Sequence, residues 1–569
     1  MEKFTVLDLF CGAGGFSEGF RQQGFEIKLG VDNWQPAIDT FNHNFNLNCS
    51  IKNILDFENA EEDIEKLPDT DVIIGSPPCV SFSHSNNSGK ANKESGIRLT
   101  KVFLRIVAVK KFKRNSSLKA WYMENVTNSK NYISDYYTFK DLDLAKWAKK
   151  NRLSPNKKAI ILKDNQHIIC SADYGSPQKR KRIISGEVIA KGTLVIPATT
   201  HKNPSTDGLK ENYKSLKFIR NSLPSPNEPK NSRIIQDPLY KDIKLHSYEL
   251  TDHFYDTGLY ACEWKQSKHL KINHPYMGTM SFPENEENPS RTITATKIGT
   301  SREAIIYPSE YERRGNGEYR TPTVREASSI MGFPISFQFK GSEGIKWRLV
   351  GNAVCPSVSQ AFARQLRSDL DLEPLDTPIV QSIANLEGIQ NLNTFSEKTF
   401  NNPPKRIKNS RFRRHPFKDG NLTVTLSNYD IVKNNNNVKK WITSVQYGNG
   451  EGFPTFNYPD HLHVNLEPII KKLKKGEKFI DIINNGFFEK IASSKELQEM
   501  FELQFSKGNF LEPTRLVEDV AEIIKNLGIE KEVFIQNKNE IFTKKETIPI
   551  KQLYALYAIN IISTKANNK

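Results

Sequence analysis

Cysteine is scarce in this chain and never clustered. The 569 residues hold six (Cys11, Cys49, Cys79, Cys170, Cys262 and Cys355), with no Cys-x-x-Cys pair among them. That spacing argues against a zinc site and a disulfide framework, and for a reducing compartment. Long apolar runs are also missing, so no segment reads as a membrane span. Met1-Glu2-Lys3-Phe4 leads directly into a strand pattern and leaves no room for a signal peptide. The expectation is an intracellular, cytoplasmic protein with no membrane partner. Acidic residues are in deficit: 65 Asp and Glu against 81 Lys and Arg leave a net charge of +16. An excess of that size suggests a polyanionic partner, nucleic acid ahead of a membrane surface, with solubility as the plainer alternative. The 37% apolar and 26% charged content is ordinary, and the length allows two or more domains with cores of their own.

What is present centres on Ile73-Ile74-Gly75-Ser76-Pro77-Pro78-Cys79-Val80-Ser81-Phe82-Ser83. Val72 to Ile74 reads as a short buried strand that stops at Gly75, after which two prolines fix the backbone ahead of Cys79. The carboxyl end of a strand is where open α/β sheets keep their chemistry. The alternative for a free cysteine is a small buried hydrophobe. The polar stretch from Ser83 to Gly96 reads as a flap rather than core.

Phe4 to Phe10 reads as a first parallel strand, followed by Cys11-Gly12-Ala13-Gly14-Gly15 and a helical pattern from Phe16 to Gln22. A glycine turn between strand and helix lets a ligand approach the backbone and the positive end of the helix. The further glycine that a dinucleotide fingerprint needs near Ser17 is absent. A second strand, Ile27 to Val31, ends in Asp32, at the spacing where such folds put a ribose-binding carboxylate. Further strands are expected near Ile51 to Ile54 and over Ala120 to Val126, where Glu124 and Asn125 close the run, with a helix from Leu99 to Lys111 between them. Tyr174 to Arg182 alternates basic residues ahead of another strand. It reads either as a solvated face or as arginines beside a carboxylate-lined pocket, where they hold an anion or polarise a base.

Five ordered segments together resemble the C5-cytosine DNA methyltransferases: Asp8-Leu9-Phe10-x-Gly12-x-Gly14-Gly15, Pro77-Pro78-Cys79, Glu124-Asn125-Val126, Gln178-x-Arg180-x-Arg182 and Gly351-Asn352-x-Val354. The resemblance covers about residues 1 to 371. It implies an α/β fold, a doubly wound, mostly parallel sheet of the Rossmann-like S-adenosylmethionine-dependent type, with an inserted target-recognition domain; beyond the resemblance the residues themselves read as a mixed α+β carboxyl-terminal module. It also implies S-adenosylmethionine as cofactor, with Phe10 near the adenine, Gly12 and Gly14 under the methionine part, Asp32 on the ribose and Asn352 closing the site. The acidic residue expected near the adenine amino group stands here as Asn53, whose amide oxygen can still accept that hydrogen bond; nearby Asp56 is the alternative.

The resemblance further implies a catalytic set of Cys79, Glu124, Arg180 and Arg182. Cys79 adds to C6 of the cytosine. Glu124 serves N3 as an acid. Arg182 contacts the base near O2, and Arg180 supports the pocket and the cysteine environment. The base must leave the duplex to reach them, and Ser85 stands where the gap-filling side chain is expected. Val80 departs from the glutamine that many members carry after the nucleophile.

The sequence divides, on this reading, into residues 1–189 (catalytic and cofactor-binding), 190–289 (target recognition), 290–371 (bracing segments and return to the catalytic domain), 372–402 (linker) and 403–569 (accessory module). Lone histidines such as His253 and His269 read as structural. Arg291 to Thr294 and Arg320 to Glu326 read as braces, and Val354 to Leu370 as the helix that completes the first domain. In the accessory module a basic cluster from Lys405 to His415 suggests phosphate contact or a solvated linker. Leu422 to Ile431 reads as a strand, and Arg515 to Leu527 as a helix. His461 and His463 are too little for a metal site, no nuclease constellation stands out, and no metal is expected. The partner is double-stranded DNA. Family habit adds a prokaryotic restriction-modification setting with a cognate restriction endonuclease acting separately. The rivals are an RNA cytosine-C5 methyltransferase and a DNA-binding protein without catalysis.

Overall fold

The computed structural model describes residues 3–78, 93–206, 208–228, 233–273, 278–310, 313, 316–392, 395–398, 414–419, 422–428, 440–447, 455–503, 506–529, 532–536, 541–542 and 546–569. Cys79, Val80, Ser85 and the basic residues 405–413 lie outside them. The chain forms two compact units, residues 1–399 and 400–569.

The first unit opens with alternating strands and helices: β1 (Thr5–Leu9), α1 (Gly15–Gln22), β2 (Glu26–Val31), α2 (Gln35–Phe45), α3 (Glu61–Lys66), β3 (Val72–Gly75), α4 (Lys93–Phe112) and β4 (Ala120–Asn125). A small hairpin, β5 (Tyr136–Thr138) with β6 (Lys158–Ile161), encloses α5 (Ala145–Lys150), and β7 (Gln166–Cys170) and β8 (Lys181–Val188) follow. The main sheet runs β2-β1-β3-β4-β8-β7. The first four strands are parallel, and β8 runs antiparallel to both of its neighbours. This is the expected doubly wound, mostly parallel α/β sheet.

Alternation along each strand feeds two cores. Val6, Ile27, Val72, Ile74 and Tyr122 face α1, α2 and the last helix of the unit, while Leu7, Leu9, Ile73, Trp121 and Met123 face α3 and α4. Strands buried on both faces are why these runs read as continuously apolar. The strand order reverses between β1 and β3, so the crevice at their carboxyl ends is the place such a sheet offers a ligand.

Two expectations change here. The stretch near Ile51 to Ile54 is not a strand. Lys52 N–H donates once to the Asp32 carbonyl (3.0 Å), then the Asn53 side chain caps a 3-10 turn over Ile54–Phe57. A competing side-chain hydrogen bond of this kind ends extended structure. The flap stretch from Ser83 to Gly96 also ends earlier than its composition suggests, since its last residues already belong to α4.

Between β8 and the return, short pieces replace the sheet: β9 (His201–Lys202) with β10 (Glu211–Asn212), α6 (Leu216–Ser222), β11 (Ile234–Gln236) with β12 (Lys244–His246), α7 (Ala261–Ile272), and β13 (Tyr307–Pro308) with β14 (Tyr319–Arg320). Buried polar groups hold them. His253 lies buried between the Pro224 carbonyl and the Thr323 hydroxyl, and Arg320 is buried against Glu310 and Glu326. The chain then returns through α8 (Val324–Met331), α9 (Glu343–Asn352) and α10 (Pro356–Asp369). Helix α10 docks on α1 at Gly19, while the Val354 carbonyl just ahead of α10 packs on Gly15, one helical turn earlier. A Cβ on Gly19 would lie 2.2 Å from Ser359 Oγ and 2.6 Å from the Pro356 carbonyl.

Of the stretch 372–402, read from composition as a linker, the described residues 372–392 and 395–398 are tied to the first unit as a strap. Ile379 N–H donates to the Gln22 carbonyl (2.9 Å), Gln23 brackets Leu375 through its side-chain amide, Leu392 N–H donates to Asp252, and Lys398 N–H donates to Asp256 (2.8 Å).

The second unit carries an antiparallel meander, β15 (Arg414–Asp419), β16 (Leu422–Ser427), β17 (Ile442–Tyr447) and β18 (Thr455–Tyr458). The helices α11 (Leu462–Lys471), α12 (Gly476–Ile482), α13 (Ser494–Leu503), α14 (Pro513–Asn526) and α15 (Ile550–Asn568) follow, with a hairpin of β19 (Val533–Ile535) and β20 (Thr547–Pro549) before the last. Helix α15 is buried nearly all round, which makes it the centre of this core. Among the described residues no helix is long and apolar enough to cross a membrane.

Candidate active site

The glycine turn after β1 is built on left-handed backbone. Phe10 (φ 61°), Gly12 (φ 53°) and Gly14 (φ 95°) all take positive φ. A Cβ on Gly12 would meet nothing within 4 Å, so the turn is open at Gly12, whereas one on Gly14 would run into the rings of Phe45 and Phe41. Asp32, at the end of β2, closes the far side. Its Oδ2 accepts from Gly12 N–H (3.0 Å) and its Oδ1 from Trp34 N–H (2.9 Å). Burial raises the Asp32 pKa, while these N–H donors and the nearby Arg348 charge oppose the rise. Each carboxylate oxygen keeps a further lone pair for a hydroxyl.

This donor set, an open glycine backbone beside a braced carboxylate, fits the ribose and methionine parts of S-adenosylmethionine. Asn53 lies one residue beyond the Lys52–Asp32 main-chain bond, exposed, with Oδ1 accepting from Leu55 N–H (3.1 Å). Asp56, also exposed, lines a groove with Leu29, Lys52, Asp63 and Lys66. Asn352 ends α9, exposed.

The second cluster sits at the ends of β3 and β4. Ser76 N–H donates to the Leu9 carbonyl (3.2 Å), which ties the end of β3 to the glycine turn. The carboxylate of buried Glu124 is held at both oxygens, by Arg182 Nε at 3.0 Å and by Ser76 Oγ at 2.8 Å. Asn125 Nδ2 donates to the Pro77 carbonyl (3.4 Å) and so steadies the segment that leads to Cys79. Ser76 was invisible as a site residue in the sequence, although its place just before two prolines was the available signal.

Arg180, expected to support the pocket, is held by main-chain groups of the returning chain. Its buried guanidinium donates to the carbonyls of Ile293 and Gly351, each at 3.0 Å. Gln178 joins it by accepting from Ile293 N–H (2.9 Å). The alternating basic segment is therefore split: Arg182 meets Glu124, while Arg180 locks the returning chain beside Asn352. A small pocket under Glu124 is lined by Arg180, Arg182, Ser171 and Cys355. Burial pushes the Cys355 thiol pKa up.

Comparison with known proteins identifies the family. The family model for C-5 cytosine-specific DNA methylase matches residues 4–368. Type II methyltransferase M.HindV from Haemophilus influenzae is 39% identical over 388 residues, which cover 65% of this chain and 98% of that protein. Type II methyltransferase M.HgiDI from Herpetosiphon aurantiacus is 28% identical over 374 residues, 64% of this chain and 95% of that one. A crystal structure of the S. pombe Dnmt2 methyltransferase covers 65% of this chain and 100% of its own, at 16% identity and a TM-score of 0.38.

Proposed function

We infer the chemistry from one premise: the chain belongs to the C-5 cytosine-specific DNA methylase family and is a DNA (cytosine-5-)-methyltransferase. The reading is that it methylates C5 of a flipped cytosine in a short duplex sequence, with Cys79 as nucleophile. The observation that carries it is the Glu124 carboxylate, fixed between Arg182 and Ser76 beside the Pro77–Pro78 segment.

Cytosine C5 is too weak a nucleophile to react unaided. The Cys79 thiolate forms a bond to C6, and the displaced electron pair moves towards N3, where protonated Glu124 delivers its proton. The Ser76 hydroxyl can accept from that protonated carboxyl and donate to the ionised one, so it serves both states. Arg182 orients Glu124 and reaches the base near O2. Gly12, Asp32 and Asn352 would hold S-adenosylmethionine, which would supply an electrophilic methyl group on its sulfonium sulfur. C5, now enamine-like, would take that methyl group as the bond to sulfur breaks, leaving S-adenosylhomocysteine. A base then takes the C5 proton, the electron pair expels the Cys79 thiolate from C6, and N3 returns its proton to Glu124. Aromaticity is restored and the enzyme is unchanged. The base has to leave the stack for any of this.

The basic excess supports duplex DNA as partner, and the names of the type II relatives support a restriction-modification setting with a separate endonuclease. The test is single-base mapping of 5-methylcytosine in DNA and RNA from cells expressing the wild type or Cys79→Ser. Methylation at one short duplex motif, lost in the variant, is the expected result. Methylation confined to RNA, or unchanged in Cys79→Ser, overturns the reading.

A further inference from the structure

Helix α9 carries three consecutive side chains that leave it in three directions. Lys346 is fully buried in an ion pair with Asp252, at 2.6 Å. Trp347 Nε1–H donates to the Thr294 carbonyl, at 2.9 Å. These two anchor the helix on the recognition side. Arg348, exposed, turns the other way and lies over the Trp34 ring, with its guanidinium carbon 4.6 Å from the ring centroid.

That contact joins two segments far apart in sequence. Trp34 is two residues beyond Asp32 and donates its N–H to that carboxylate, while Asp32 also accepts from Gly12. Arg348 is four residues before Asn352, on the same face of α9. The order Gly12, Asp32, Trp34, Arg348, Asn352 therefore rings the place where the cofactor reading puts the ribose and methionine groups.

We propose that Arg348 and Trp34 form a latch across the mouth of the cofactor site, which closes over bound S-adenosylmethionine or its demethylated product and slows their release. The proposal rests on the assignment of Gly12, Asp32 and Asn352 to that cofactor. An exposed arginine over a half-buried aromatic ring is a weak, reversible contact, suited to a closure that must open every turnover. The latch grips the ribose end, which substrate and product share, so both are affected alike. Arg348 is a positioning residue, since it acts through Trp34 and the loop rather than on the reacting atoms.

The test measures S-adenosylhomocysteine binding to the full-length chain by calorimetry, and its dissociation by stopped-flow tryptophan fluorescence. The proteins are the wild type, Arg348→Ala, Arg348→Lys, Trp34→Leu and the Arg348→Ala/Trp34→Leu double variant. Arg348→Ala should raise the dissociation constant and the dissociation rate together, by about two- to fivefold. Arg348→Lys should retain most of the wild-type value. The double variant should be no weaker than the worse single one, because both remove the same contact. KM for S-adenosylmethionine should rise in Arg348→Ala while kcat stays level or increases. Unchanged dissociation in Arg348→Ala, or additive losses in the double variant, overturns the latch alone. A wild type that binds no S-adenosylhomocysteine overturns the cofactor reading and the latch with it.

Discussion

Arg182 Nε lies 3.0 Å from Glu124 Oε1, across the antiparallel pairing that β8 makes with β4. The reversed strand is what allows this, because it brings the start of β8 to the end of β4. Glu124→Gln keeps the shape and removes the transferable proton. Its kcat should fall by about 10²- to 10⁴-fold, with cofactor binding unchanged. Methyl-transfer kinetics beside calorimetric titration of S-adenosylhomocysteine would separate the two. A loss of binding equal to the loss of rate would refute the assignment.

Arg180 makes a different prediction. Arg180→Met leaves the carbonyls of Ile293 and Gly351 without their donors. The first unit should lose about 2–5 kcal/mol, and KM for S-adenosylmethionine should rise because Asn352 adjoins Gly351. Denaturant melts and initial-rate kinetics check both. An unchanged melt would exclude the bracing role.

Two glycines should respond in opposite ways to alanine. Gly19→Ala places a methyl group against backbone atoms of α10 and should cost about 1–3 kcal/mol. Gly344→Ala, in α9 with nothing within 4 Å of its Cβ position, should be neutral or stabilising by about 0.5–1 kcal/mol. Thermal melts of the pair report on how tightly α1 and α10 meet.

Asp8 sets a pH dependence. Burial pushes its pKa up to about 8, against the Ser17 hydroxyl that donates to it at 2.6 Å. The folded chain therefore holds this proton where the unfolded chain has lost it. The stability so contributed is full below about pH 4, the ordinary carboxyl value, and lost as pH rises to about 8. Asp8→Asn cannot titrate. Its melting temperature relative to wild type should rise between pH 5 and 8 and level off above, as measured by melts across that range. A flat difference would show that Asp8 does not titrate there.

Much of the first unit was legible because its signals are local. Strands buried on both faces are continuously apolar, so β1, β3 and β4 stand out, and turns that need positive φ call for glycine, as at Gly12 and Gly14. What failed depended on contacts with no local mark. Ile51 to Ile54 carries strand-like residues, but one hydrogen bond to Asp32 and the Asn53 cap end the extension there. The 372–398 strap has the composition of a linker because its attachments are main-chain groups meeting Gln22, Gln23, Asp252 and Asp256. Arg180 and Arg182 look equivalent in sequence, and only the strand geometry sends one to a carboxylate and the other to two carbonyls. The site around Ser76 and Glu124 was half readable: the carboxylate announced itself at the end of an apolar run, whereas the serine is a common residue until its distance to Glu124 is known.

The strap also has a mechanical consequence. The second unit is joined to the first at residue 399, immediately after the Lys398 N–H bond to Asp256, and not at the end of α10. Tension on that junction would be taken up first at Asp256, then at the Leu392 bond to Asp252, and only afterwards at the residues that touch α1. The attachments act as strain relief on a cable: whatever pulls on the second unit, the load enters at Asp256 and Asp252 and is spent there before it can bend the glycine turn.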